Sequence, residues 1–188
     1  MRRPTLAALV LLGVFVVSAG WAKVLLSVDE ALALAFPGCT IQRETVYLTT
    51  AELETARQLA GTELASAVVF PYRARRPDAE GKPCGTAYLD THRVRTLAET
   101  VMVAIGAEGE ILRVEALSFD EPLDYLPRDE WYAQYTGREL TPETELGRGL
   151  RPVTGATLTA RATTDAARRA LALERVIAAR AVPAGVPP

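Results

Sequence analysis

The sequence predicts an α+β fold: an antiparallel sheet with a long C-terminal helix packed on it and short N-terminal helices. Three observations predict it. Val101, Val103 and Ile105, and after a turn Leu112, Val114 and Ala116, recur at every second residue, as in a strand pair. Ala162, Ala166, Ala170, Leu173 and Ile177 recur at spacings of three and four, which gathers them on one face of a helix. Ser27 with Glu30, and Thr49 with Glu52, are two capping-box signatures near the start of the chain. A chain of 188 residues has room for one domain with a substantial core.

Taken in order, residues 1–22 (MRRPTLAALVLLGVFVVSAGWA) carry Arg2 and Arg3, an apolar run and then small residues, the pattern of a secretory signal peptide. An uncleaved membrane anchor is the competing reading, because the apolar run continues past Lys23. Either reading places the rest outside the cytoplasm, in the periplasm or an equivalent extracytoplasmic space. Residues 23–84 read as an N-terminal α/β segment. In it, Ser27 opens a short helix that Pro37 and Gly38 stop, residues 41–48 form a strand, Thr49 opens a helix that Gly61 closes, and a second strand ends near Pro71. The stretch RRPDAEGKPCG is a long turn or hairpin tip.

From Gly85 the pattern becomes antiparallel sheet. Val101, Val103 and Ile105 alternate, GAEGE turns, and Leu112, Val114 and Ala116 alternate against Arg113 and Glu115, giving a hairpin with one wet face. Pro127 or Arg128 starts a short helix that Gly137 ends, and Trp131, Tyr132 and Tyr135 on it are expected in the core. A connection of about seventeen residues, 141–157, is longer than a structureless loop usually is, which points to function. The last helix is expected over residues 159–180, with Arg161, Arg168 and Arg175 along a solvated flank and a flexible tail over 181–188.

Composition narrows the function. The chain is 49% hydrophobic and 23% charged with a formal charge of -2, which argues against a nucleic-acid partner. Its single histidine, His92, rules out a His-rich metal site, and no residue is assigned to acid or base catalysis. Cys39 and Cys84 lie in turn sequences; in an exported chain they pair or stay free.

The stretch Thr154, Gly155, Ala156, Thr157 directly precedes the last helix. A turn of small residues at a helix N terminus leaves backbone N–H groups and positive potential facing one spot, a geometry suited to a phosphate. The plainer reading is that Thr157 or Thr159 is an N-cap. TGATLT resembles the [ST]-G-A-[ST] flavinylation motif of the FMN-binding domain family, which includes flavin-carrying subunits of sodium-translocating NADH:quinone reductases and related electron-transport complexes. In that family the last hydroxyl residue of the motif is joined to the FMN phosphate by a phosphoester, made from FAD by a separate flavin transferase.

Carried over, the resemblance implies FMN on Thr157, a phosphate turn made by Thr154, Gly155 and Ala156, and Leu158 and Thr159 beside the cofactor. DTHRVRT, the hairpin, the EP after it and the final helix occur in the order of exported members, so the likeness runs over roughly residues 85–173, within an FMN-binding domain spanning 85–180. Glu121, Pro122 and Leu123 are similar to the family's E-T-P-G-L segment near the flavin, though without its Thr and Gly. His92, in DTHRVRT, is a further candidate for a redox or proton-transfer role. Arg151 stands where many members have Asp, three residues before the motif, which implies slower or absent modification, or else a direct pairing of Arg151 with the phosphate. The function implied is an exported electron carrier whose partners are the transferase and membrane or periplasmic redox proteins such as cytochromes. Two other functions stay open on the sequence: a flavin-free exported binding or assembly protein, and a flavin reductase with its own small substrate.

Overall fold

A computed structural model describes residues 23–78 and 81–181. The expected leader and most of the expected tail lie outside the described residues. Six antiparallel strands form one sheet in the order β1-β8-β7-β6-β5-β2, with β1 Lys23–Val24, β2 Thr40–Arg43, β5 Tyr72–Arg75, β6 Pro83–Arg93, β7 Ala98–Gly106 and β8 Ile111–Phe119. A separate two-stranded ribbon pairs β3 Val46–Tyr47 with β4 Val68–Val69. The helices are α1 Val28–Ala35, α2 Thr50–Ala60, α3 Asp129–Tyr132 and the long α4 Thr157–Ala178. This is the α+β architecture expected.

Both N-terminal helices begin as their residues dictate. Ser27 Oγ accepts from the Glu30 amide while the Glu30 carboxylate accepts from the Ser27 amide, and Thr49 and Glu52 repeat the arrangement. Gly61 ends α2 in the left-handed conformation at φ +69°. The expected strand over 41–48 is broken in two: it leaves the main sheet after Arg43 and joins the ribbon at Val46. The second expected strand, β4, ends before Pro71, which has no N–H to give a ladder, and a further strand, β5, begins at Tyr72.

The sheet is covered on both faces along β7, so the expected wet face of the hairpin is confined to β8, where Arg113 is exposed and pairs with Glu115. Residues 101–106 are all buried. On one side Val101, Val103, Ile105, Ile111 and Val114 pack against α4, α2 and the Trp131, Tyr132 and Tyr135 rings. On the other, Met102, Ala104 and Leu117 pack against Ala31, Leu32 and Phe36 of the α1 region. Two bulges deliver this: Val101 pairs with Ala116 after Thr100 pairs with Ser118, and Ile105 pairs with Ile111 after Ala104 pairs with Arg113. The extra residues, Leu117 and Leu112, turn to the α1 side, so Leu112 does not share a face with Val114 and Ala116. Burying each such side chain contributes about 1.5–3 kcal/mol. Gly85 is required where β6 passes β7, since a Cβ there would collide with the Ile105 carbonyl.

The N-terminal segment belongs to the same sheet: β1 pairs with β8, β5 with β6 and β2 with β5. A disulfide joins Cys39 to Cys84 across 45 residues of sequence, answering the open question about these two thiols. On α4 the expected apolar face is buried, and the helix starts two residues earlier than expected. Arg161 and Arg175 are exposed, but Arg168 is not part of a wet flank. Its guanidinium donates to the carbonyls of Ala60 and Thr141, because α2 and the 141–144 turn both present unbonded chain ends to α4. Among the described residues no helix is long and apolar enough to cross a membrane.

Candidate functional site

At the N terminus of α4, Gly155 takes φ +85°, and the turn closes with the Ala156 amide donating to the Val153 carbonyl at 3.2 Å. Among the described residues no heavy atom lies within 4 Å of where a Gly155 Cβ would stand, so glycine serves the backbone conformation there and these residues leave the space beside it open. Ala156 is the N-cap and supplies no side-chain bond, so neither Thr157 nor Thr159 is an N-cap. Among the described residues the amides of Thr157, Leu158 and Thr159 have no hydrogen-bond acceptor, and no acidic residue sits in the first turn. The positive end of a 22-residue helix therefore faces outward uncompensated.

The hydroxyls here divide sharply. Thr157 is exposed and its Oγ1 donates to the Val153 carbonyl at 3.2 Å, whereas Thr159 is 1% exposed and donates to the Tyr125 carbonyl at 2.6 Å. Thr154 is also exposed, one position before Gly155. The Thr159 bond draws the segment after β8 against the turn, so Glu121, Pro122 and Leu123 lie in the loop leading to Tyr125. Large apolar side chains are open to solvent in these joined segments: Leu123 at 45%, Leu158 at 49% and, across Glu121, Leu97 at 45%.

Glu121 is buried, not a surface turn residue. Its Oε1 accepts from the amides of Thr96 and Leu97 at 2.7 and 3.0 Å, fixing the turn between β6 and β7. Those amides hold its carboxyl below the usual carboxylate range. Arg95 of the same turn stacks over the Tyr125 ring at 4.8 Å. Arg151 is exposed, its amide held by the Gln134 side chain at 3.0 Å and its carbonyl by the Trp131 indole at 2.6 Å.

His92 is placed elsewhere. Its ring bridges Asp90 at Nδ1 and Glu99 at Nε2, both at 2.9 Å, beneath the middle of α4. Arg169 clamps Asp90 with two bonds at 2.7 and 2.8 Å, and Thr163 reaches Glu99 at 3.5 Å. Arg169 lies twelve residues beyond Thr157, about 18 Å along the helix. Burial alone would lower the His92 pKa, but the bonds to Asp90 and Glu99 raise it to about 9. Burial would likewise raise Asp90, and the bonds from His92 and Arg169 instead hold it at about 2. Asp90 is thus bonded to both His92 and Arg169, while Glu99 is bonded through Oε2, its buried Oε1 having no partner among the described residues. Glu99 and Arg169 were not singled out in the sequence; the signals were the cross-strand pairing of His92 with Glu99 and the shared face of Asp90 and His92.

The structure therefore sets Thr154, Gly155, Ala156, Thr157, Leu158 and Thr159 at the start of α4, ties the loop that carries Pro122 and Leu123 to that start through the bond from Thr159 to Tyr125, has Glu121 brace the neighbouring turn, and keeps His92 within a cluster of its own. No family model, curated protein or solved structure matches the chain.

Proposed function

We propose that this chain is an exported electron carrier with FMN esterified to Thr157, a member of the FMN-binding domain family. The observation that carries the reading is the exposed Thr157 at a helix N terminus without a side-chain cap, two residues after Gly155, beside which the described residues leave open space. The residues fit the cofactor's parts. Three unbonded amides at Thr157, Leu158 and Thr159 suit the singly charged phosphodiester of an esterified FMN. The solvent-open side chains of Leu123 and Leu158 offer an apolar surface to a planar ring. When bound, the flavin supplies the redox chemistry, and the protein supplies tether, orientation and electrostatic surroundings.

The chain's own residues have limited tasks. Thr157 Oγ1 would hold the FMN phosphorus in an ester made from FAD, with AMP as the leaving group and the transferase both taking the hydroxyl proton and supplying the catalysis. The positive end of α4 then offsets the phosphate charge, and Thr159 holds the loop after β8 in place through Tyr125. Glu121 acts one layer back, by keeping the 94–97 turn closed. Covalent attachment suits a compartment where released FMN would be lost, and the bridge between Cys39 and Cys84 supports an oxidising one.

The test is co-expression with an active flavin transferase, followed by a denaturing gel viewed for flavin fluorescence. A fluorescent wild-type band, still present in Thr159→Ala and gone in Thr157→Ala, is expected. A dark wild-type band beside a fluorescent positive control contradicts the reading and favours a flavin-free binding protein.

A further inference from the structure

The long strand β6 is paired unequally on its two edges. β7 follows it from Gly85 to Arg93, but β5 stops at the pair Tyr72 and Ala87. The cause is Pro71: the chain before it peels away, and Val68 and Val69 pair with β3 in the ribbon instead. Among the described residues, 88–93 therefore present about 20 Å of strand edge with no strand beside it. Between this edge and β4 lies a cleft of about 430 Å³, floored by Arg169, Ala170 and Leu173 of α4. The facing wall shows a stopgap. The Ser66 hydroxyl bonds both the amide and the carbonyl of Val68, each at 2.9 Å, filling backbone sites that a neighbouring strand would take.

Charge points the same way. Asp90, His92, Glu99 and Arg169 neutralise one another, and Glu63 is within reach of Arg57. Arg43, at the mouth, has no carboxylate partner among the described residues and lies over the Phe70 ring at 4.4 Å. By contrast the outer edge of β8 is blunted, with β1 on Ser118 and Phe119, the 137–138 turn on Ile111, and the Arg113 and Glu115 pair between them.

We infer that the cleft between β4 and β6 receives an extended, acidic segment of a partner protein, which adds as a strand along residues 88–93 and sets a carboxylate against Arg43. Main-chain bonds supply the pairing and alternate side chains the selectivity. The site lies away from Thr157 and does not depend on the flavin.

The experiment titrates the isotopically labelled, unmodified protein with two heptapeptides, alternating valine with glutamate or with lysine, and with the glutamate peptide N-methylated at alternate residues. The glutamate peptide should shift the amides of residues 66–70 and 88–93 saturably, and N-methylation should abolish binding. Arg43→Glu should turn the preference toward the lysine peptide, about fivefold each way for an exposed pair. Equal binding of the N-methylated peptide, shifts mapping outside those residues, a preference unaltered by Arg43→Glu, or no saturable shift with either peptide would each overturn the inference.

Discussion

Between Asp90 and Glu99, His92 has no ring nitrogen left for a cofactor or a substrate. Its task is to carry the charge that lets Glu99, which has no exposed surface, remain in the interior. The folded pKa of about 9 lies above the unfolded value of 6.5, so the stabilisation is fully present below pH 6.5 and is lost as pH rises through about 9. Urea denaturation at pH 6, 8 and 10 should show stability falling by a few kcal/mol over this range, with a shallower fall in His92→Gln. Identical slopes for the two proteins would contradict the assignment. Removing the imidazole altogether, in His92→Ala, should destabilise by about 3–5 kcal/mol at pH 7, because it strands a buried carboxylate. That Thr157 lies exposed beside a small-residue turn was legible in the sequence because the motif is local. The His92 cluster was not, because it depends on strand register and on a residue 77 positions away in α4.

Helices were more legible than strands. Capping boxes are written in four consecutive residues, so α1 and α2 could be placed to within a residue or so. Thr49→Ala should cost about 1 kcal/mol, measured by thermal or urea unfolding. The start of α4 was less visible, since its N-cap is an alanine that contributes no side-chain bond. Strand breaks at Thr45 and Pro71, and the bulges at Leu112 and Leu117, are set by which face finds cover, information absent from a run of β-forming residues. Arg168 shows the same limit: periodicity set it on a polar flank, but α2 and the 141–144 turn cover it. Arg168→Ala should cost about 1–3 kcal/mol by leaving those carbonyls unbonded, and an effect within about 0.5 kcal/mol would show that water replaces the guanidinium freely.

At the scale of the molecule, the first strands and helix are part of the sheet that carries the candidate site. α1 buries the face opposite α4, and the bridge between Cys39 and Cys84 ties that helix end to β6. For a closed loop of 45 residues the bridge contributes about 4 kcal/mol, chiefly by restricting the unfolded chain. Cys39→Ser should lower the urea midpoint accordingly, and reductant should affect the wild type but not the variant. A chain beginning at Gly85 would leave Met102, Ala104 and Leu117 uncovered and should not fold, which links the N-terminal segment to the cofactor turn by stability alone.

The claim on which the functional account rests is one ester bond, and mass spectrometry reads it directly. After co-expression with an active flavin transferase, the denatured protein should gain the mass of FMN less one water. The tryptic peptide of residues 149–161 should carry that gain, with fragment ions placing it on Thr157. An unmodified peptide from wild type beside a modified control substrate, or the added mass on Thr154, would contradict the account.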